Sequence, residues 1–394
     1  MRSLFVAVLL VAACGGRATR STLPAQSPSV TPARDLATAK DTAPRDPAGA
    51  QLVAKDPRIV DLDIIRITAS SRGVGGDPHL DHVATGDLFK QANDAAKAGE
   101  TERAIQSYRR LVTEFPESQY APVALFNIAA IYDGRSDFDL MIATLRELVK
   151  TYPTSRESVD GHLYIAAIQS DRDQFADALV TLGEMQARTS FTYADRIEVF
   201  ARQGYVLIEL KRYEEAEASL QKAIDEWRKV SRLEDPYYIA MAHYYRGELA
   251  HRKFIEAPAR LPDDVLVADL EKKRVLAVQA YDRWKEALGF KQAYWATASG
   301  YQMSQIFVEL WEAHVKAPYP RRIDAATRQK YVVEVHDRVR EHLAKALEGH
   351  RMNVELAKAY GVDTAWSKAS AQKAAEVMEI LAREGNGQYV TPAS

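Results

Sequence analysis

Leu111-Val112-Thr113-Glu114-Phe115-Pro116-Glu117-Ser118 is followed 37 residues later by Leu148-Val149-Lys150-Thr151-Tyr152-Pro153-Thr154-Ser155. Both segments carry an apolar pair, an aromatic, a proline and a serine in one frame, and that frame extends in both directions. Upstream, Ala92, Ala104 and Tyr108 correspond at the same interval to Ala129, Met141 and Leu145. Ala166, Ala178 and Leu182 stand another 37 residues on, and Gly204, Ala216 and Leu220 a further 38. In each copy the first position precedes the second by 12 residues, and a large apolar residue follows four later. Two antiparallel helices fit this spacing: slim residues let them approach, the later bulky residue fills the groove, and Pro116 and Pro153 stop the second helix. Turn signals fall at matching points in Ala98-Gly99-Glu100, Arg135-Ser136-Asp137-Phe138, Arg172-Asp173-Gln174-Phe175 and Leu210-Lys211-Arg212-Tyr213. Each copy therefore reads as a helix-turn-helix unit, and a run of such units buries a continuous core between neighbours.

Beyond Val230 the frame loosens. Ala240–Phe254 supplies a first helix with Gly247 at the slim position, and its partner around Leu276–Leu288 follows an insertion holding Pro258, Pro262, Asp263 and Asp264. Tyr294–Val315 opens another unit, Pro318-Tyr319-Pro320 breaks it, a long helix is expected over about Ala325–Ala359, and a capping helix over Ala365–Arg383. The expected organisation is a signal segment over 1–13, a tether over 14–50, an extended segment and Gly-rich loop over 51–83, four repeats over 84–230, divergent repeats and caps over 231–385, and a tail over 386–394.

The repeat pattern resembles the tetratricopeptide repeat. That resemblance implies an all-α fold, a right-handed α–α superhelix with an irregular C-terminal helical extension, and a protein-binding role without catalysis. The closing phrases, with an aromatic, proline, any residue and serine before a helix starting near Ala121-Pro122, are similar to those of lipoproteins of the outer-membrane barrel-assembly machine and of Tol-Pal-associated periplasmic proteins. Over about residues 84–230 the resemblance implies an envelope adaptor. Two features depart from it: barrel-assembly lipoproteins usually begin their repeats sooner after the lipid, and Tol-associated proteins usually carry a coiled coil and no lipid. The C-terminal layout resembles extended repeat lipoproteins of gliding-motility and other envelope machines.

The N-terminus supplies an address. Arg2 precedes an apolar run from Leu4 to Val11, then Ala12, Ala13 and Cys14, the one cysteine among 394 residues. Ten apolar residues from Leu4 to Ala13 are too few to cross a hydrocarbon core that needs about 20. Val11-Ala12-Ala13-Cys14 resembles the bacterial lipobox, which implies cleavage before Cys14 and acylation of its thiol. Each buried methylene of an acyl chain contributes about 0.8 kcal/mol, so several chains anchor stably. Gly15 and Gly16 follow the cysteine in place of an aspartate, which by family analogy implies the outer membrane, facing the periplasm. From Gly15 to Ala50 the chain carries Pro24, Pro28, Pro32, Pro44 and Pro47 among small polar residues and can build no core. It reads as a tether spanning about 30–36 Å on average and roughly 110 Å at full stretch.

Arg58-Ile59-Val60-Asp61-Leu62-Asp63-Ile64-Ile65-Arg66-Ile67-Thr68 reads as one isolated strand that must pair within the chain or with a partner. Val60, Leu62, Ile64 and Ile65 are its candidate partner-binding residues. Asp77-Pro78-His79-Leu80-Asp81-His82, read as a loop before a helix, is the densest set of potential metal ligands, which makes a metal-dependent envelope factor a minor alternative. The plainer expectation is that Asp77 or Asp81 caps the helix near Thr85.

Composition excludes several classes. With 52 Lys+Arg against 54 Asp+Glu and a net charge of -2, the chain has no basic footprint for nucleic acid. It has no Gly-rich phosphate loop, His-Glu metal helix motif or Ser elbow, so neither a cofactor nor a small-molecule substrate is expected. His336, His342 and His350 are expected on solvated helix positions, and Trp284, Tyr294, Trp295, Tyr301, Phe307 and Trp311 in the core. The binding face is placed on the first helix of each unit, through Phe89, Asn93, Phe126, Leu163, Tyr205 and Tyr244, a mostly apolar groove for an extended or helical peptide. Chaperone-binding relatives clamp a terminal carboxylate with Lys and Asn; here Phe89 stands at the Lys position, so Asn93 alone makes no such clamp. Barrel-precursor handling and a motility or division complex are the alternative roles that the resemblance implies.

Overall fold

The structure is a computed structural model that describes residues 65–71 and 78–391, apart from 187–190, 232, 234 and 320–322. Four helix pairs realise the repeat: α1 Thr85–Lys97 with α2 Thr101–Glu114, α3 Ala121–Gly134 with α4 Phe138–Thr151, α5 Arg156–Asp171 with α6 Phe175–Met185, and α7 Tyr193–Glu209 with α8 Tyr213–Trp227. The tetratricopeptide-type all-α superhelix that the resemblance implies is the observed architecture, preceded by a two-stranded hairpin. Odd-numbered helices touch one another, α3 on α5, α7 on α9 Tyr237–Glu256, and α9 on α11 Ala293–Val315, which makes them the inner layer. The even-numbered helices form the outer layer.

The turns inside the four pairs share one backbone solution. Gly99, Ser136, Asp173 and Lys211 all adopt left-handed φ, at 77°, 61°, 59° and 59°. At the first, the Gly99 N–H donates to the Ala96 carbonyl and the Glu100 N–H to the Ala95 carbonyl. The same two bonds recur from Ser136 and Asp137, from Asp173 and Gln174, and from Lys211 and Arg212. This is the Schellman arrangement, which satisfies carbonyls left over at a helix end. The second helices α2 and α4 stop one residue before Phe115 and Tyr152, just ahead of Pro116 and Pro153. Surface pairs repeat as well: Arg135 reaches back to Glu102 at 2.6 Å and Arg172 to Asp139 at 3.3 Å, each fixing one unit against the next.

Close approach inside the pairs follows the slim residues. Ala92, Ala129 and Ala166 are buried against Ala104, Met141 and Ala178. A Cβ at Gly204 would stand 2.3 Å from Leu220, and one at Gly247 would stand 2.4 Å from the Trp284 ring. The second helix of the fifth pair, α10, begins at Asp263 and runs to Gly289, so Asp263 and Asp264 belong to its first turn rather than to an insertion. There their charges favour the helix N-terminus. α12 Ala325–Tyr360 and α13 Ala365–Gly385 close the array. Asp324 caps α12, Thr364 and Ser367 form a capping box on α13, and Gly361 turns the chain between them with φ 66°.

Of the two pairings left open for the strand, the one within the chain is observed. β1 Ile65–Ser71 pairs antiparallel with β2 Pro78–Ala84, with Ile65 opposite Ala84 and Ser71 opposite Pro78. Pro78 to His82 is therefore strand and not the expected loop, because the backbone groups of β1 need a ladder and the following segment supplies it. The cap is also different: Ala84 occupies the N-cap of α1 and offers no side-chain bond. Val60, Leu62, Ile64 and Asp77 lie outside the described residues, as do the signal segment, Cys14 and the tether.

Candidate functional site

The inner face is where a superhelix of this kind presents a groove, and most of it is filled. Phe89, Asn93, Leu163 and Tyr205 are each only 4–5% exposed and Tyr244 is 0% exposed, so five of the six expected groove residues sit in the core. Phe126 alone is half-buried. The reason is contact with neighbouring helices: a side chain aimed at the groove meets its own pair partner or the next repeat instead of water. Phe89 stacks on Tyr120 with ring centroids 5.1 Å apart, and Tyr205 meets Tyr245 at 4.9 Å. Tyr244 packs on Trp295 at 5.1 Å, and α13 adds Trp366 over Tyr244 and Tyr301. Such aromatic contacts add about 0.5–1.5 kcal/mol each beyond the area they bury.

Asn93 is also committed. It accepts the Tyr108 hydroxyl proton, and Asn127 donates to the same hydroxyl oxygen at 3.2 Å. Burial pushes the Tyr108 pKa up to about 12, with the Asn127 bond working the other way, so the hydroxyl keeps its proton and the link persists. Ile65 opens β1 and spends its pairing on Ala84.

Two inner-face networks were not found by sequence reasoning. Arg202, in an otherwise largely apolar run from Val199 to Ile208, donates to Glu198 at 2.7 Å and to the Tyr238 hydroxyl at 2.8 Å. Burial works against its charge, yet Tyr238 and Glu198 hold its pKa above the ordinary value. A lone arginine in such a run was the available signal. The second network joins α9 to α11: Gln302 donates to Glu248 at 2.9 Å and to the Tyr244 hydroxyl at 3.2 Å, and His251 pairs with Glu309. Burial raises the Glu248 pKa, while His251 and Arg252 oppose it. For His251 burial favours the neutral ring, but Glu309 outweighs it and the pKa rises. These groups hold one another and build no pairing of nucleophile and base.

The expected core aromatics Trp284, Trp295 and Trp311 are fully enclosed. His336 and His350, by contrast, are 1% and 0% exposed and not solvated, because α13 folds back over α12. His336 hydrogen-bonds Glu384 at 2.6 Å through Nδ1, and its Nε2 meets the Val390 carbonyl at 2.8 Å. Among the described residues no group of three His, Cys, Asp or Glu is placed to hold a metal, and no helix is long and apolar enough to cross a membrane.

Part of the surface stays reachable at the N-terminal end. Phe126, Ala130 and Asp133 of α3 keep partial exposure. On α1, Asp87, Lys90, Gln91 and Asp94 line a polar depression of about 390 Å³ with Glu100 and Arg103.

Residues 81–235 match the family described as a tetratricopeptide repeat-like domain. No curated protein matches the chain. Among solved structures, a tetratricopeptide repeat protein from Parabacteroides merdae is 12% identical, with 75% of this chain and 98% of that one covered and a TM-score of 0.34. A MamA RS-1 ArsTM double mutant is 13% identical over 49% of this chain and 93% of that one, with a TM-score of 0.32. A monomeric mutant of IFIT1 with Gppp-AAAA is 15% identical over 75% and 70%, with a TM-score of 0.36.

Proposed function

We propose that the chain is a noncatalytic adaptor, anchored through acylated Cys14 on the periplasmic side of the outer membrane, whose first repeats dock protein partners of a cell-envelope machine. The observation that carries the docking is the partial exposure of Phe126, Ala130 and Asp133 along one face of α3, whereas Phe89, Asn93, Leu163, Tyr205 and Tyr244 are enclosed. An extended or helical peptide with an apolar anchor suits that face, Phe126 supplying the apolar contact and Asp133, two turns along the same helix, a charge at its edge. The anchor rests on Arg2, the apolar run and Cys14, and the Pro-rich stretch to Ala50 gives the folded part reach.

Two measurements test the two halves separately. Cys14→Ser should move the protein from the membrane to the soluble fraction, and retention on the membrane would refute the anchor. A photocrosslinking residue in place of Phe126 should capture envelope proteins that the same residue in place of the outward-facing Val180 does not. Equal capture from both positions would refute docking at the N-terminal repeats. The captured proteins separate barrel-assembly subunits, Tol-Pal components and motility proteins as partners.

A further inference from the structure

His336 stands where α11, α12, α13 and the segment after α13 meet, and both of its ring nitrogens face acceptors. Nε2 lies 2.8 Å from the Val390 carbonyl oxygen, which can only accept, so Nε2 carries a hydrogen. Nδ1 lies 2.6 Å from Glu384 Oε1. That oxygen also accepts the Trp311 indole N–H at 3.0 Å, and Arg340 donates to the other carboxylate oxygen at 3.3 Å. A carboxylate that takes donors on both oxygens, one of them a guanidinium, is ionised and offers Nδ1 no hydrogen. Nδ1 therefore carries its own, and the ring is an imidazolium on a residue only 1% exposed.

The C-terminal tail depends on that ring. α13 ends in a local turn, with Gly387 at φ 72°, in which the Gly387 N–H donates to the Glu384 carbonyl and the Gln388 N–H to the Arg383 carbonyl. Past Gln388, among the described residues, the tail's hydrogen bond and its ring contact both end on His336. The Val390 carbonyl accepts from Nε2, and the Tyr389 ring lies 4.8 Å from the imidazole, where an aromatic ring favours a cation. Val390 closes a narrow slot lined by His314 and Val315 of α11, Tyr319, and Tyr331, Val332 and Val335 of α12. Gln388, Val390 and Thr391 are nevertheless exposed, so apolar burial holds the segment only weakly.

Loss of one proton reverses the contact. Glu384 is 1% exposed and a buried carboxylate keeps the nearest donor, so the hydrogen left on a neutral ring stays on Nδ1. Nε2 then aims a lone pair at the lone pairs of the Val390 carbonyl, and an attraction becomes a repulsion. The charged and titratable groups around the ring are Glu384 from α13, Arg340 one turn along α12 and Tyr389 from the tail, with His314, Tyr319 and Tyr331 across the slot. Of these, His336 alone bonds the tail backbone, and the Nδ1 of His314 is engaged by the Leu310 carbonyl at 2.8 Å.

We propose that the C-terminal tail is a proton-dependent strap: protonated His336 grips the Val390 carbonyl and lays Tyr389 and Val390 across the slot, and loss of the Nε2 proton releases them. The helices keep their own ties through Trp311, Arg340 and Glu384, so release uncovers the slot without unpicking the array. The strap is independent of the N-terminal docking face and of the lipid anchor.

A nitroxide on Thr391→Cys, in the full chain carrying Cys14→Ser, reads the strap directly, because Thr391 is exposed and follows the gripped residue. Its spectrum should be restrained at about pH 5 and mobile at about pH 9, on either side of the range in which histidine changes charge. The ratio of held to free tail should fall about tenfold or more, as for a lost hydrogen bond to a charged group. The same label on Val267→Cys, on the exposed side of α10, should not respond to pH. His336→Phe keeps a ring between Trp311 and Tyr389 but has no donor, and should leave the label at position 391 mobile at both pH values with helix content unchanged. The nitrogen spectrum of the unsubstituted His336 ring gives a reading that needs no ring variant: two N–H nitrogens at about pH 5 and one at about pH 9. A label equally restrained or equally mobile at both pH values with His336 intact, a label still restrained in His336→Phe, or a bare ring nitrogen on His336 at the lower pH would overturn the proposal.

Discussion

Gly247→Ala tests whether helix approach, rather than helix propensity, governs the fifth pair. The new Cβ would stand 2.4 Å from both Cδ1 and Nε1 of Trp284 and 2.9 Å from Cε2, where ordinary contact begins near 3.4 Å. Trp284 has no room to retreat: it is 0% exposed and held edge-on against His251 at 5.4 Å. Overpacking of this kind costs about 1–3 kcal/mol, and a rigid ring contacted at two atoms belongs at the upper end. Alanine in place of glycine inside a helix returns about 1 kcal/mol, which leaves a net loss of about 2 kcal/mol. Gly134→Ala is the matched control, since nothing lies within 4 Å of a Cβ there and its backbone is helical. It should stabilise by about 0.5–1 kcal/mol. Urea unfolding followed by circular dichroism should therefore move the two midpoints in opposite directions. Adding Trp284→Phe to Gly247→Ala removes the pyrrole edge and should recover part of the loss, a non-additivity of about 1 kcal/mol or more. Midpoints that rise for both glycine variants would refute the reasoning.

Lys211→Gly should raise stability by about 0.5–1 kcal/mol, because Lys211 holds φ 59° at a turn where Gly99 does the same work without a Cβ; an unchanged or lower unfolding midpoint would count against it. His350 is pushed down to about 4 by burial, with Lys373 adding to the effect. Its folded value lies below the unfolded value of about 6.5, so its stabilising contribution is intact above that pH and drains as pH falls toward 4, by up to about 3 kcal/mol. The imidazole resonance of His350 should stay flat from about pH 8 to about pH 5, and a midpoint near the ordinary histidine value would contradict the burial argument.

Helix positions were legible because the signals are local. Pro116 and Pro153 end helices by missing N–H groups, and the 37-residue spacing of slim and bulky residues fixes which helix faces pack within a pair. Ser136, Asp173 and Lys211 gave no sign of left-handed backbone, since only Gly99 among the four turns carries the residue that such a conformation favours. The expected groove residues were assigned to the proper helices, and all but Phe126 were then found enclosed. Arg202 went unnoticed because its partners, Glu198 one turn back and Tyr238 in the next repeat, identify it only in three dimensions. His336 and His350 were misread for a similar reason: their periodicity describes α12 alone, whereas the carboxylate of Glu384 and the hydroxyl of Ser370 arrive from α13.

The sequence by itself determined the units: two helices per repeat, their stops and turns, and the close contact at Ala92, Ala129, Ala166 and Gly204, all set by interactions within about one repeat of chain. Only the tertiary structure decided which inner positions meet water. That depends on how α3 lies on α5 and α7 on α9, and on Trp366 returning over Tyr244. Burial is a sum over neighbours distant in the chain, and no spacing along one helix encodes it.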